Sequence, residues 1–153
     1  MRNAMSLPEQ AKAAEVTTCT CFNLRKATRA ITQLYDDVLR PSGLRATQFS
    51  LLTVIWIMGK ASITRLAEEA VMDRTTLARN LDLLEQQGLI RIQAGEDARV
   101  REVSLTPAGH DSVAAAFPYW KKAQALVTKN LGAGRVNRLL GDLSAAVAAA
   151  QEQ

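Results

Sequence analysis

The sequence predicts a mainly helical fold that carries one small β-hairpin, and three observations support this. Apolar residues make up 48% of the 153 residues but aromatics only 5%, so the core is built from Leu, Ala, Val and Ile. That composition favours helices over sheets. The stretch from Ser62 to Leu105 parses as helix, turn, helix, strand, turn, strand. Long apolar stripes at spacings of three and four lie on both sides of it. The length allows one domain with a substantial core and is short for two independent ones.

Each element has a local cause. Residues 1–17 are polar and alanine-rich, with Pro8, and are expected to form a loose arm. A first helix is predicted from Thr18 to Leu39, with Leu24, Ala27, Ile31, Leu34 and Val38 on one face; Pro41-Ser42-Gly43 ends it. A second, from Thr47 to Met58, is apolar on nearly all sides and is therefore expected at the centre. Ser62 is an N-cap, with Ile63, Leu66 and Ala67 behind it, and Asp73 is another, followed by Leu77, Leu81 and Leu84 on one stripe. Gly88 closes that helix, because glycine takes a left-handed backbone without strain. The β-branched runs Leu89–Gln93 and Val100–Leu105 follow, joined by the polar turn 94–99. Thr106-Pro107 starts a long helix to Leu131, with a kink expected at Pro118. Gly132–Gly134 breaks the chain, and a last helix aligns Val136, Leu139, Leu140, Leu143 and Val147.

A helix-turn-helix with a hairpin attached is a winged helix, here spanning residues 45–109 within a single domain of residues 18–153. The helices over 18–44 and 110–153 hold more apolar surface than this unit can cover. A homodimer through the first, fifth and sixth helices is the economical arrangement. The net charge is +4, from 19 basic and 15 acidic residues. Residues 60–101 contain seven of each sign, so a nucleic-acid reading rests on where the arginines stand rather than on a net positive segment. Thr75, Thr76, Arg79 and Asp82 lie opposite the Leu77/Leu81/Leu84 stripe and point away from the core. Arginine grips guanine O6 and N7 with two bonds, and threonine offers a hydroxyl and a methyl. Arg74 in the first turn suits a phosphate or a base edge. Arg99 at the wing tip suits a narrow minor groove, with Asp97 placed to hold it.

The pieces RATQFSLL (Arg45–Leu52), LAEEAVMDRTTLARNLDLLEQQGLI (Leu66–Ile90) and GEDARVREVSLTPAG (Gly95–Gly109) together resemble the MarR family of bacterial transcription regulators. Asp97-Ala98-Arg99 fits that family's Asp-x-Arg wing signature. The resemblance implies a homodimer that binds a palindromic double-stranded DNA operator, usually represses, and releases DNA when a small molecule or an oxidant is sensed. The expected DNA-binding set is Thr64, Arg65, Arg74, Thr75, Thr76, Arg79, Asn80, Asp97, Arg99 and Arg101. The alternative of another class is a winged-helix protein-interaction adaptor that never touches DNA.

Two sensor sites are open. Cys19 and Cys21 are the only cysteines and stand at the start of the first helix, where free N–H groups favour negative charge. Arg25 follows Cys21 by one turn, and Tyr35 lies close to four turns on, on the same face. This segment is similar to the organic-hydroperoxide-sensing branch of the family, which makes Cys21 the expected redox residue, although Arg25 stands where that branch has a tyrosine. Inert packing is the bland role for both cysteines. The other site is an aromatic pocket on the first, second and fifth helices formed by Phe22, Arg25, Phe49, Leu52, Trp56, Phe117, Tyr119 and Trp120, for an apolar or aromatic ligand.

An enzyme is not expected. There is no glycine-rich phosphate loop, no nucleophile elbow and only one histidine, His110. Cys19, Cys21 and His110 form no metal pattern, so neither metal nor cofactor is expected. The longest apolar run, Phe49–Met58, falls short of the roughly 20 residues of a membrane span. The first residues lack an apolar signal core, which leads us to expect a cytoplasmic location.

Overall fold

The computed structural model describes residues 12–152. Its helices are α1 (Thr20–Leu39), α2 (Ala46–Met58), α3 (Ile63–Glu69), α4 (Arg74–Gln86), α5 (Pro107–Leu131) and α6 (Ala133–Gln151). Its strands are β1 (Ala61–Ser62), β2 (Ile90–Ala94) and β3 (Arg101–Leu105). They form one antiparallel sheet in the order β1-β3-β2, with Ile92 opposite Val103 and Ala61 also opposite Val103. The two-residue β1 lies outside the sequence expectation, because two residues carry no readable alternation. It joins the start of the helix-turn-helix to the wing. Most of the arm expected over 1–17 lies outside the described residues, but residues 12–15 are helical and Val16–Thr18 form a 3-10 turn.

The predicted punctuation is present. The side chains of Ser62, Asp73 and Thr106 accept hydrogen bonds from the N–H groups of Arg65, Thr76 and Gly109 and so start α3, α4 and α5. At the start of α2, Asp36 accepts from the N–H of Ala46 at 2.7 Å, and Gln48 accepts from that of Arg45. Gly43 and Gly88 have φ of 78° and 72°, where a side chain would be strained. The helix α5 continues through Pro118 to Leu131.

Leu77, Leu81 and Leu84 of α4 meet Leu66 of α3, Leu52 and Ile55 of α2, Val103 of β3 and Val113 of α5 in one buried cluster. The second helix is less central than its composition implies. Phe49, Leu51, Leu52 and Ile55 are buried, but Trp56 is 47% exposed and Ile57 81%. Nearly uniform apolarity gave no stripe from which to read this. The first part of α1, as far as Ile31, stands clear of the body, with Phe22, Leu24 and Ile31 exposed. Leu139, Leu140, Leu143 and Val147 of α6 are exposed as well. No described helix is long and apolar enough to cross a membrane.

Candidate functional site

Three loops of hydrogen bonds hold the polar face of α4 in place. Asp73 accepts from the N–H of Thr76 at 2.9 Å and from its hydroxyl at 2.6 Å, which starts the helix. These bonds from Thr76 hold the Asp73 carboxyl below its ordinary range. At the far end, Glu85 accepts from the N–H of Ile92 at 3.0 Å and ties α4 to β2. The hydroxyl of Thr106 donates to the Gly88 carbonyl at 2.6 Å, and its backbone N–H donates to the Leu89 carbonyl. Gly109 sits so close to that carbonyl that a Cβ would lie 2.0 Å from the oxygen. The end of α4, the start of β2 and the start of α5 therefore move as one piece.

On this frame Arg74, Thr75, Thr76 and Arg79 are exposed, as are Thr64 and Arg65 one helix earlier. The hydroxyl of Thr76 is committed to Asp73, so Thr76 presents mainly its methyl. Arg74 donates weakly to the Thr64 hydroxyl at 3.4 Å, which brings those two residues together. Asn80 is half-buried and donates back to the Thr76 carbonyl, so it faces sideways rather than outward. Among the described residues the only ion pairs are Arg40–Asp37 and Arg45–Asp36. Arg65, Arg74, Arg79, Arg91, Arg99 and Arg101 carry unpaired guanidiniums on the winged unit.

The wing tip is built by its backbone. Gly95 donates to the Val100 carbonyl, and Val100 to that of Asp97. Asp97 does hold Arg99, but through the backbone N–H at 2.9 Å, which leaves the guanidinium free. Arg101, at the start of β3, is exposed and pairs in register with Ala94.

Of the expected aromatic pocket, four members come together. Phe49, Trp56, Phe117 and Trp120 line an open groove of about 580 Å³ between α2 and α5, together with Ile57 and Val113. Trp120 stacks between Phe49 and Phe117, with ring centroids 6.2 and 5.4 Å apart. Trp56 meets His110 edge-on at 5.4 Å. Leu52 is fully buried in the core, and Phe22 and Arg25 sit on the free half of α1, outside the groove. Ile57 was not foreseen there, because the second helix gave no apolar stripe.

Cys19 occupies the N-cap position of α1, and Cys21 lies in its first turn; both are exposed and neither is in a disulfide. Tyr35 does not share their surroundings. Fourteen residues along one helix place it about 21 Å away, and its hydroxyl donates to Gln124 of α5. Burial there pushes the Tyr35 phenol up. No cluster able to hold a metal occurs among the described residues.

Comparison with known proteins agrees with this architecture. The MarR family model matches residues 44–100. The M. tuberculosis transcriptional regulator MosR, solved in complex with DNA, is 41% identical, with a TM-score of 0.77 over 87% of this chain and 98% of that one. The chain belongs to the MarR family. The Bacillus subtilis (strain 168) organic hydroperoxide resistance transcriptional regulator is 32% identical over 90 residues, which is 58% of this chain and 61% of that regulator. The match thus spans less than two thirds of that relative. E. coli MarR on operator DNA shares the MarR fold, at 23% identity, with a TM-score of 0.77 over 86% of this chain and 96% of that one.

Proposed function

We propose that this chain is a homodimeric, sequence-specific DNA-binding repressor. In this reading it leaves a palindromic operator when a small aromatic or apolar molecule enters the groove between α2 and α5. One observation carries the DNA reading: α4 turns Leu77, Leu81 and Leu84 into the core while Arg74, Thr75 and Arg79 stand exposed, and the wing carries the free Arg99. A helix held this way fits the major groove, and a wing arginine fits the minor groove beside it. The DNA complex of MosR supports the reading. The exposed apolar stripes of α1 and α6 supply the dimer surface. The groove joins a helix of the winged unit to one of the flanking helices, so a ligand there would change the angle between them.

The test is fluorescence anisotropy with DNA from the gene's own upstream region, at several salt concentrations. Arg79→Ala is expected to cost about 1–3 kcal/mol on the specific site and to relax its base preference. Arg99→Ala should weaken binding most where the flanks are A·T-rich. The adaptor reading wins if no saturable, sequence-dependent binding occurs.

A second reading, thiol-based sensing through Cys21, is favoured by the exposure of both cysteines at a helix start and by the Bacillus relative. Peroxide should then lower DNA affinity in the wild type and in Cys19→Ser, but not in Cys21→Ser. Operator affinity unchanged after thiol oxidation would remove this reading and leave the groove as the sensor.

A further inference from the structure

A circuit of hydrogen bonds joins α1, α2, α4 and α5. On α1 the half-buried Asp36 accepts from the N–H of Ala46 at 2.7 Å and from the Arg45 guanidinium at 3.4 Å, which fixes the start of α2. Gln48, in the first turn of α2, accepts from the N–H of Arg45 at 3.0 Å through Oε1. Only the oxygen of its amide can take that bond, so Nε2 is the atom left for another partner. It donates to Oε1 of Gln87 at 3.2 Å. Gln87 is the C-cap of α4 and precedes Gly88, whose carbonyl accepts from Thr106 at the start of α5. Tyr35, beside Asp36 on α1, closes the circuit by donating to Gln124 of α5.

We propose, on the homodimeric reading above, that Gln48 is a positioning residue for DNA recognition. It holds the end of α4 to α1 through the start of α2, and so sets the separation of the two recognition helices in a dimer. At that end of α4, Glu85 leads to β2 and Gly88 to α5, while the Gln87–Gln48 bond leads through α2 to α1. A dimer reads two half-sites related by the helical repeat of DNA, so a frame tied in this way selects one spacing. Adding or removing one base pair moves a half-site by about 3.4 Å and turns it by about 36°, which a fixed frame does not follow. The Gln48–Gln87 bond joins two neutral amides, and Gln87 is exposed. Such a bond carries little of the stability of a fold. Its loss therefore loosens the frame without unfolding it.

The test separates selectivity for spacing from selectivity for bases. The whole protein is bound, by fluorescence anisotropy, to duplexes carrying the palindrome of its own upstream region, with one base pair added to or removed from the centre. A second set keeps the spacing and changes one base in each half-site. The wild type should bind the altered spacings about tenfold more weakly or worse. Gln48→Leu breaks both bonds of the amide, whereas Gln87→Met breaks only the bond between the two helices and leaves the start of α2 capped. In both variants the spacing penalty should fall to about threefold or less, while the penalty for the base change stays that of the wild type. Gln87→Met should also keep the wild-type melting temperature. Gln48→Glu still accepts from Arg45, and Gln87 turns its amide to donate to it, so the spacing penalty should be restored. Either breaking variant with the wild-type penalty, or Gln48→Glu as relaxed as Gln48→Leu, would overturn the proposal. So would spacing and base selectivity lost together, since the role would then be in folding alone. A wild type that binds the palindrome but ignores spacing overturns the proposal and leaves the repressor reading standing. A wild type without saturable, sequence-dependent binding removes both.

Discussion

The winged unit and the helices that flank it at the two ends of the chain are built to different standards. In the winged unit the two helices of the helix-turn-helix have side-chain caps, from Ser62 for α3 and Asp73 for α4, and Thr106 caps the exit into α5. Leu77, Leu81 and Leu84 of α4 are at most 1% exposed. By contrast, α1 begins at Cys19 and α6 at Gly132 with no side-chain cap. Leu140 of α6 is 55% exposed and Ile31 of α1 45%. The first region caps its helix-turn-helix and buries the Leu77/Leu81/Leu84 stripe within one chain, although Trp56 and Ile57 of α2 stay exposed. The second leaves both tasks to a surface beyond it, which is what an assembly element requires.

Two substitutions test this contrast hardest. Gly109→Ala should destabilise the fold by about 3 kcal/mol, the upper part of the range for overpacking. Its Cβ would meet the Leu89 carbonyl oxygen at 2.0 Å, and that backbone is pinned on both sides. A urea midpoint like that of the wild type would show that the joint between wing and α5 can yield. Leu139→Glu and Leu143→Glu, in the other region, should leave the winged unit folded but convert a dimer to monomers. Light scattering that gives an unchanged mass for both would place the interface elsewhere.

How much of this was legible in the sequence follows the same division. Ser62, Asp73, Gly88 and Thr106-Pro107 are local signals, and each fell where expected. Strand limits shifted by about one residue, because pairing across the hairpin sets them. What the sequence hid was relational. The exposure of Ile57 depends on which face of an all-apolar helix meets α5. The gathering of Phe49, Trp56, Phe117 and Trp120 without Phe22 depends on α1 standing clear of the body. Tyr35 lay on the expected face of α1, but rise per residue carries it far from Cys21. Periodicity reports direction around a helix and is silent about distance along it.

Smaller effects sharpen the comparison. Val71 is the only non-glycine residue among those described with positive φ, and it is largely exposed. Val71→Asn should raise stability by about 1 kcal/mol, because asparagine tolerates the left-handed region and little burial is lost. An unchanged or lower melting temperature would mean that the turn carries no strain. Gly141, in the interior of α6, has nothing within 4 Å of where a Cβ would stand. Gly141→Ala should therefore add roughly 0.5–1 kcal/mol through helix propensity, opposite in sign to Gly109→Ala. A loss of stability there, with weaker dimerisation, would show that a partner helix approaches α6 at that glycine.

The smallest effect concerns acid. Thr76, through its hydroxyl and its N–H, holds the Asp73 carboxyl below its ordinary range in the folded chain. A depressed carboxyl contributes stability that is fully present above the unfolded value, about 3.9. That contribution is lost as pH falls from there through the lower folded value. Because Asp73 is open to solvent, the contribution is modest and weakens with added salt. Asp73→Asn keeps an acceptor for the Thr76 amide but cannot ionise, so the start of α4 should stay formed while this part of the acid dependence disappears. The flanking helices, lacking carboxylate caps at their first turns, should contribute no such step. The measurement is the urea midpoint of wild type and Asp73→Asn between about pH 3 and pH 6. Parallel curves across that window would mean that the Asp73–Thr76 contact gives α4 no charge-dependent stability.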